Sequence, residues 1–300
     1  MLETEIAGLS LKNPTILASG IMGSTGSSLM RIARDGGAGA VVAKSVGMEA
    51  REGHSNPTVI EVEGGLLNAV GLSNPGIHEF KGEIETAKKG GVPVIVSVFG
   101  FTVDEFADVA VNAQEYGADA IELNLSCPNV EKAGAVYGQK PELSQRVVEA
   151  VKKRVSVPVI AKLTANTNSI VDVAKACEKA GCDGITAINT LSAMKIDIRT
   201  RRPVLGNKTG GLSGPSIKPV ALRCVYEISK ELDIPVIGCG GITTGEDVIE
   251  FLMAGAKAVE IGTGVHLRGI DVFKKVCDEI ETFMKENSYK NLYEIVGAAL

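Results

Sequence analysis

Short β-branched runs and longer amphipathic stretches alternate along the chain, and two phrases recur at their junctions. Val92-Pro-Val-Ile-Val returns as Val157-Pro-Val-Ile-Ala and Ile234-Pro-Val-Ile-Gly. Each is a strand-like run entered through proline, which a strand tolerates at its first position. Gly37-Ala-Gly-Ala-Val returns as Gly117-Ala-Asp-Ala-Ile, Gly181-Cys-Asp-Gly-Ile and Gly255-Ala-Lys-Ala-Val. A glycine there can end a helix in the left-handed conformation just before a strand. Between the phrases the apolar period is helical. From Asp104 to Tyr116 one face carries Phe106, Val109, Ala110 and Ala113, and from Glu142 to Val155 another carries Val147, Val148 and Val151.

The pattern predicts eight strands, near residues 15–18, 40–44, 66–70 or 94–98, 119–125, 158–163, 184–188, 235–238 and 257–262. The third is open between two segments because residues 55–70 read as an inserted hairpin. Strands apolar on both faces and alternating with helices imply a parallel sheet. Eight such units favour a closed (β/α)8 TIM barrel, a single α/β domain over residues 1–300 with a small inserted hairpin and loop region near the mouth. An open doubly wound sheet would want G-x-G-x-x-G after the first strand, and Ser19-Gly-Ile-Met-Gly-Ser does not supply it.

Composition narrows the function. The chain has 300 residues, 45% of them hydrophobic, with 35 glycines and no tryptophan. That suits many tight βα connections rather than a base-stacking surface. The formal charge of −5, without blocks of like sign, leaves no footprint for nucleic acid or an anionic membrane. The N-terminal MLETEIAGLSLKNP lacks the basic and apolar regions of a secretory signal. A soluble, cytoplasmic protein is expected. The six cysteines lack C-x-x-C spacing, so zinc and iron–sulfur sites are not expected in this chain, and Cys177 and Cys182 read as small buried hydrophobes.

Chemistry in a barrel sits where strands end. The predicted strand ends carry Ser19, Lys44-Ser45, Ser97, Asn124 with Cys127, Lys162, Asn189-Thr190, Gly240-Gly241 and Gly262-Thr263, and the insertion adds Asn68. Late-strand glycines can bring backbone N–H groups onto a phosphate, or they can merely shape tight turns. The stretch Thr209-Gly-Gly-Leu-Ser-Gly-Pro is expected to offer a second nest of N–H donors. Three asparagines suit a planar ligand bearing amides or an imide, and Lys44 and Lys162 suit a carboxylate, a phosphate or developing negative charge.

Cys127 stands in NLSCPNV, directly after the fourth predicted strand. Its thiol, with an ordinary pKa of about 8.5, can accept a proton when cations are near. An acyl-transfer nucleophile would want a histidine, and His54, His78 and His266 are the three in the chain, none at a strand end near it. Proton abstraction from carbon is the expected use. The loop that follows, with Gly134 and Gly138 as hinges, is expected to act as a lid.

Together these segments resemble dihydroorotate dehydrogenase, most closely the class 1B catalytic subunits. LKNPTILASGIMG, AKSV, NAVGLSNPG, ELNLSCPNV, AKLTAN, INT, TGGLSGPSIKP, IPVIGCGGI and IGTG carry the resemblance from end to end. It implies oxidation of dihydroorotate to orotate through FMN, in pyrimidine synthesis, with Cys127 as the base at C5 and the hydride from C6 going to flavin N5. It implies substrate contacts at Lys44, Asn68, Ala69, Val70, Gly71, Leu72, Asn124, Asn189 and Thr190. It implies FMN contacts at Ser19, Lys44, Ser45, Ser97, Asn124, Lys162, Ile188, Gly214, Gly240, Gly241, Gly262 and Thr263. Ser97 stands where the family usually has asparagine, so a hydrogen bond there is lost or bridged by water. Class 1B further implies a partner subunit that carries FAD and a [2Fe-2S] cluster, passes electrons to NAD⁺ and joins a homodimer of catalytic chains in a heterotetramer. The rivals are the fumarate-reducing class 1A homodimer, a non-redox phosphate-binding barrel such as an aldolase or isomerase, and an idle flavoprotein that scaffolds a partner.

Overall fold

The computed structural model describes residues 1–125 and 137–300. Eight parallel strands close into a barrel in chain order: Thr15–Leu17, Ala40–Val42, Val94–Val98, Ala120–Asn124, Val159–Leu163, Gly184–Ala187, Val236–Cys239 and Ala256–Ile261. The ring closes where Val259, Glu260 and Ile261 pair with Thr15, Ile16 and Leu17. The third strand is therefore 94–98, and the alternative at 66–70 belongs to the insertion.

The recurrent phrases do what their chemistry allows. Pro93, Pro158 and Pro235 precede their strands, and each carbonyl accepts a neighbouring strand's N–H, from Val41, Ile121 and Ile185. Proline thus costs the ladder a donor only at its start. Gly37, Gly117, Gly181 and Gly255 all have φ between 85° and 104°, which turns the chain from helix into strand. The two anticipated helices span Val103–Glu115 and Pro141–Lys152, and the residues named for their inner faces are all buried. Thr102 caps the first of them by accepting from the Glu105 N–H. Cys177 and Cys182 are buried.

Inside the barrel, every second side chain points to the axis. At the lower end these are apolar: Ile16, Ala40, Val42, Ile95, Ala120, Ile160, Ile237 and Ala258 form one cluster with Ile6 and Leu11. Those last two belong to the hairpin Thr4–Ile6 and Leu9–Leu11, which closes the bottom of the barrel. Further along most of these strands the inward positions turn polar, at Lys44, Ser97, Glu122, Lys162 and Glu260.

The inserted hairpin, Val59–Val62 with Gly65–Asn68, is half of a larger roof. Thr209–Ser213 pairs with Gly65–Asn68 on one side and with Leu191–Met194 on the other, giving a four-stranded antiparallel sheet. The glycine-rich stretch expected to form a donor nest is thus mostly a central strand whose backbone is committed to its ladders. Close pairing explains the glycines: a Cβ on Gly210 would lie 2.4 Å from the Asn68 carbonyl oxygen, and one on Gly211 would lie 2.0 Å from Thr190 Oγ1. Among the described residues no helix is long and apolar enough to cross a membrane.

Candidate active site

The upper ends of the barrel strands and the underside of the roof enclose a cavity of about 1260 Å³, part of it open to solvent. Its wall brings together Ser19, Lys44, Ser45, Asn124, Lys162, Ile188, Asn189 and Thr190 from the strand ends, and Asn68, Val70, Gly71 and Leu72 from the insertion. Gly214, Gly240, Gly241, Gly262 and Thr263 complete the expected set.

Two of the expected residues stand back from this wall. Ala69 follows Asn68 on an extended segment, so its side chain faces the opposite way, into a small cluster with Leu67 and Leu205. Ser97 is fully buried below the cavity, its hydroxyl 2.8 Å from Ser45 Oγ. Cys127 and the lid segment as far as residue 136 lie outside the described residues. Gly138, the second expected hinge, is buried in the short helical turn Tyr137–Gln139.

A hydrogen-bonded chain runs along the mouth. Ser19 Oγ donates to the Ala43 carbonyl at 2.9 Å and lies 3.4 Å from Ser45 Oγ. Asn124 Nδ2 donates to Ser45 Oγ at 3.0 Å, and Asn124 Oδ1 accepts from Asn189 Nδ2 at 3.5 Å. Asn189 Oδ1 in turn accepts from the Thr190 N–H at 2.8 Å. Asn68 Nδ2 donates to the Gly211 carbonyl at 3.1 Å, which fixes it to the roof. Each asparagine is oriented by a neighbour.

The glycines divide into two kinds. At Gly240, with φ 132°, a Cβ would lie 2.8 Å from the Ala221 Cβ; at Gly241, with φ 80°, it would lie 2.6 Å from the Lys218 Cβ. Both are glycine because their own turn and the helix Lys218–Ser229 require it. Gly262 differs: a Cβ there would meet nothing nearer than the Ala18 Cβ at 3.4 Å. Its bareness leaves backbone open to the cavity, as an anion would need. Thr263 Oγ1 donates to Ser213 Oγ at 2.8 Å and ties the roof to the last strand end.

At the floor of the cavity lie three titratable groups. Glu122 and Glu260 are each 1% exposed and Lys162 5%. Lys162 Nζ contacts Glu260 Oε2 and stands 3.5 Å from Glu122 Oε2. Burial presses Lys162 toward neutrality, but the two carboxylates outweigh it and hold the ammonium well above its ordinary range. Burial also pushes the nearby Cys239 thiol up to about 12, against Lys162, so it stays protonated. The site can therefore present a permanent cation to one side of a ligand, amides to another, and open backbone to an anionic tail.

The family model for dihydroorotate dehydrogenase matches residues 1–284. The chain belongs to that family. Relatives named dihydroorotate dehydrogenase B (NAD(+)), catalytic subunit, include one from Methanocaldococcus jannaschii, 53% identical over all of this chain and 98% of its own. Another, from Pyrococcus abyssi, is 52% identical over 100% and 99%, and one from Thermoplasma acidophilum is 49% identical over the same shares.

In this dihydroorotate dehydrogenase fold, Glu122, Glu260 and Cys239 line the cavity without having been picked from the sequence. A signal exists, in alternation: Ala120-x-Glu122-x-Asn124, Ile160-x-Lys162 and Ala258-x-Glu260-x-Gly262 place them on the inner face. Ser213 of the roof also reaches the cavity; only its pairing with Leu66 on a strand distant in sequence brings it there.

Proposed function

We propose that this chain is the catalytic subunit of an NAD⁺-linked dihydroorotate dehydrogenase, oxidising (S)-dihydroorotate to orotate in pyrimidine synthesis with FMN bound in the barrel mouth. The observation that carries the reading is the convergence of Asn68, Asn124 and Asn189 with Lys44 and Lys162 in one cavity whose far wall holds Gly214, Gly240, Gly241, Gly262 and Thr263. Orotate is a planar imide with a carboxylate and matches amides beside a cation. FMN matches open backbone at Gly262 and an ammonium held charged at Lys162. The names of the full-length relatives support the same activity.

Bound FMN supplies the two-electron acceptor. The protein's share is to hold and deprotonate the substrate. Lys44 pairs with its carboxylate, and Asn68, Asn124, Asn189 and Thr190 orient its ring, with the backbone of Gly71 and Leu72 closing one side. The Cys127 thiolate takes the proton from C5. Lys162 opposes the negative charge that a reduced flavin carries. Two-electron transfer onward to NAD⁺ needs carriers for which this chain shows no motif, so a partner subunit with FAD and a [2Fe-2S] cluster is assigned that role. A cytoplasmic heterotetramer built on a homodimer of this chain completes the reading.

The test is anaerobic. Purified protein should show flavin absorbance that bleaches on adding dihydroorotate, and Cys127→Ala should abolish the bleaching near neutral pH. Bleaching of the variant at the original rate would remove Cys127 from the role of base. Protein without flavin absorbance would point to a non-redox barrel. Rapid turnover of the isolated chain with fumarate would assign it to class 1A.

A further inference from the structure

At the floor of the cavity, three strands place two buried carboxyl groups against one ammonium. Glu122 and Glu260 are inward-facing residues of the fourth and eighth strands, and Lys162 of the fifth. Thr186 Oγ1, on the sixth, lies 3.4 Å from Glu122 Oε2 and 3.4 Å from Glu260 Oε1. If both carboxyl groups were ionised, one negative charge would be buried without a counter-ion, at a cost of several kcal/mol. Buried groups in that position take up a proton instead.

Geometry says which one. Glu260 has the direct contact with Lys162. Glu122 has the longer one, and its Oε1 is buried with no hydrogen-bond partner among the described residues. We propose that Glu122 is a positioning residue, a carboxylic acid that keeps its proton at neutral pH and shares it with Glu260, so that Lys162 stands in an electrically neutral layer at the floor of the cavity. Among the described residues, three titratable groups face Glu122 or its neighbours here. Burial raises Glu122 well above the ordinary carboxylate range, the Glu260 carboxylate adds to this, and Lys162 opposes it. Cys239 stays a neutral thiol, held there by burial.

The consequence rests on the reading of the cavity as a flavin site. A layer with one net negative charge would oppose electrons arriving above it, whereas a neutral layer leaves the Lys162 cation to favour them. Glu122 acts through Lys162 and needs no contact with the reacting atoms.

Infrared spectroscopy of the intact protein tests the idea. At neutral pH the wild type should show the C=O stretch of a protonated carboxyl group, displaced by isotope labelling of glutamate and lost in Glu122→Gln. In Glu260→Gln, Glu122 becomes the remaining counter-ion to Lys162 and should ionise, so the band should vanish although Glu122 is intact. The flavin midpoint potential of Glu122→Gln should stay near the wild-type value, because a neutral amide replaces a neutral acid. Absence of the band from labelled wild-type protein, or its survival in either variant, would overturn the proposal. The wild-type measurement needs no substitution, so a variant that fails to fold does not block the test. The band does not depend on flavin, so wild-type protein without flavin absorbance would sink the functional reading while leaving the carboxyl result to be judged separately.

Discussion

The hydroxyl groups of Ser45 and Ser97 meet at 2.8 Å in the barrel interior, and the same Ser45 oxygen accepts from Asn124 Nδ2 at 3.0 Å. Ser97 therefore acts on the cavity at one remove, by setting the rotamer of a residue on its wall. Where a longer asparagine could reach the cavity itself, serine anchors a neighbour. Ser97→Ala should cost about 1 kcal/mol in urea unfolding, the worth of one ordinary hydrogen bond. It should also weaken FMN retention more than it changes turnover of the loaded enzyme. An unchanged FMN dissociation constant would show that Asn124 alone keeps Ser45 in place.

Lys162 stands between two buried carboxyl groups. Removing one partner of a buried ionic set leaves uncompensated charge and costs on the order of 3–5 kcal/mol. Lys162→Met should destabilise the fold by that order in denaturant titration. Adding Glu260→Gln in the same chain should return a large part of the loss, because it removes the charge left behind. A double variant no more stable than the single one would mean that the lysine acts by packing.

Much of this site can be read from the chain. The proline-led runs and the Gly-Ala phrases mark the barrel units, and most of the described residues at their ends line one cavity. What escapes is instructive. Taking the strands as apolar on both faces hides Glu122 within Ala120–Asn124, because the strand faces helices with one side and the barrel axis with the other. Glu260 hides the same way within Ala256–Ile261. Thr209–Ser213 reads as a loop because glycine is poor in strands; it is a strand here because Gly65–Asn68, more than a hundred residues earlier, lies alongside it. Tertiary pairing overrides local preference at the point where the roof forms.

Asp247 gives the fold an acid-sensitive joint near the cavity. Its carboxylate accepts from the Thr243 and Thr244 N–H groups at 2.7 and 2.9 Å and from Lys218 Nζ at 2.7 Å, which pins the helix Gly245–Met253 to the helix Lys218–Ser229. Burial alone would raise its pKa, but Lys218 and the threonine donors outweigh it and hold the carboxyl below the ordinary range. With a lower pKa folded than unfolded, Asp247 stabilises the fold above the unfolded value of about 3.9 and loses that contribution as pH falls through the folded one. Asp247→Asn should therefore cost about 1.5–3 kcal/mol at neutral pH. The gap between variant and wild type in urea unfolding should close on acidification toward the folded pKa. A gap that persisted there would mean the loss comes from geometry and not from charge.

Gly214 joins the roof to the helix that follows it, with φ at 103°. A Cβ at this position would lie 2.7 Å from the Gly65 Cα and 2.9 Å from the Gly64 carbonyl oxygen, both backbone atoms of the inserted hairpin. Backbone cannot swing aside as a side chain can, so alanine would have to displace the hairpin turn. Positive φ adds its own penalty, and Gly214→Ala should destabilise the protein by more than about 1 kcal/mol. Because Gly214 and Leu66 both line the cavity, the displacement should also reach the ligand. The expected signature is loss of flavin absorbance on gel filtration together with a lower unfolding midpoint. Gly262→Ala is the counterpart, since a Cβ there meets nothing nearer than 3.4 Å. It should leave the unfolding midpoint nearly unchanged and lose the flavin, because the space that its methyl group fills is the space a phosphate would use. If both variants kept FMN, the phosphate would have to sit elsewhere on the barrel mouth.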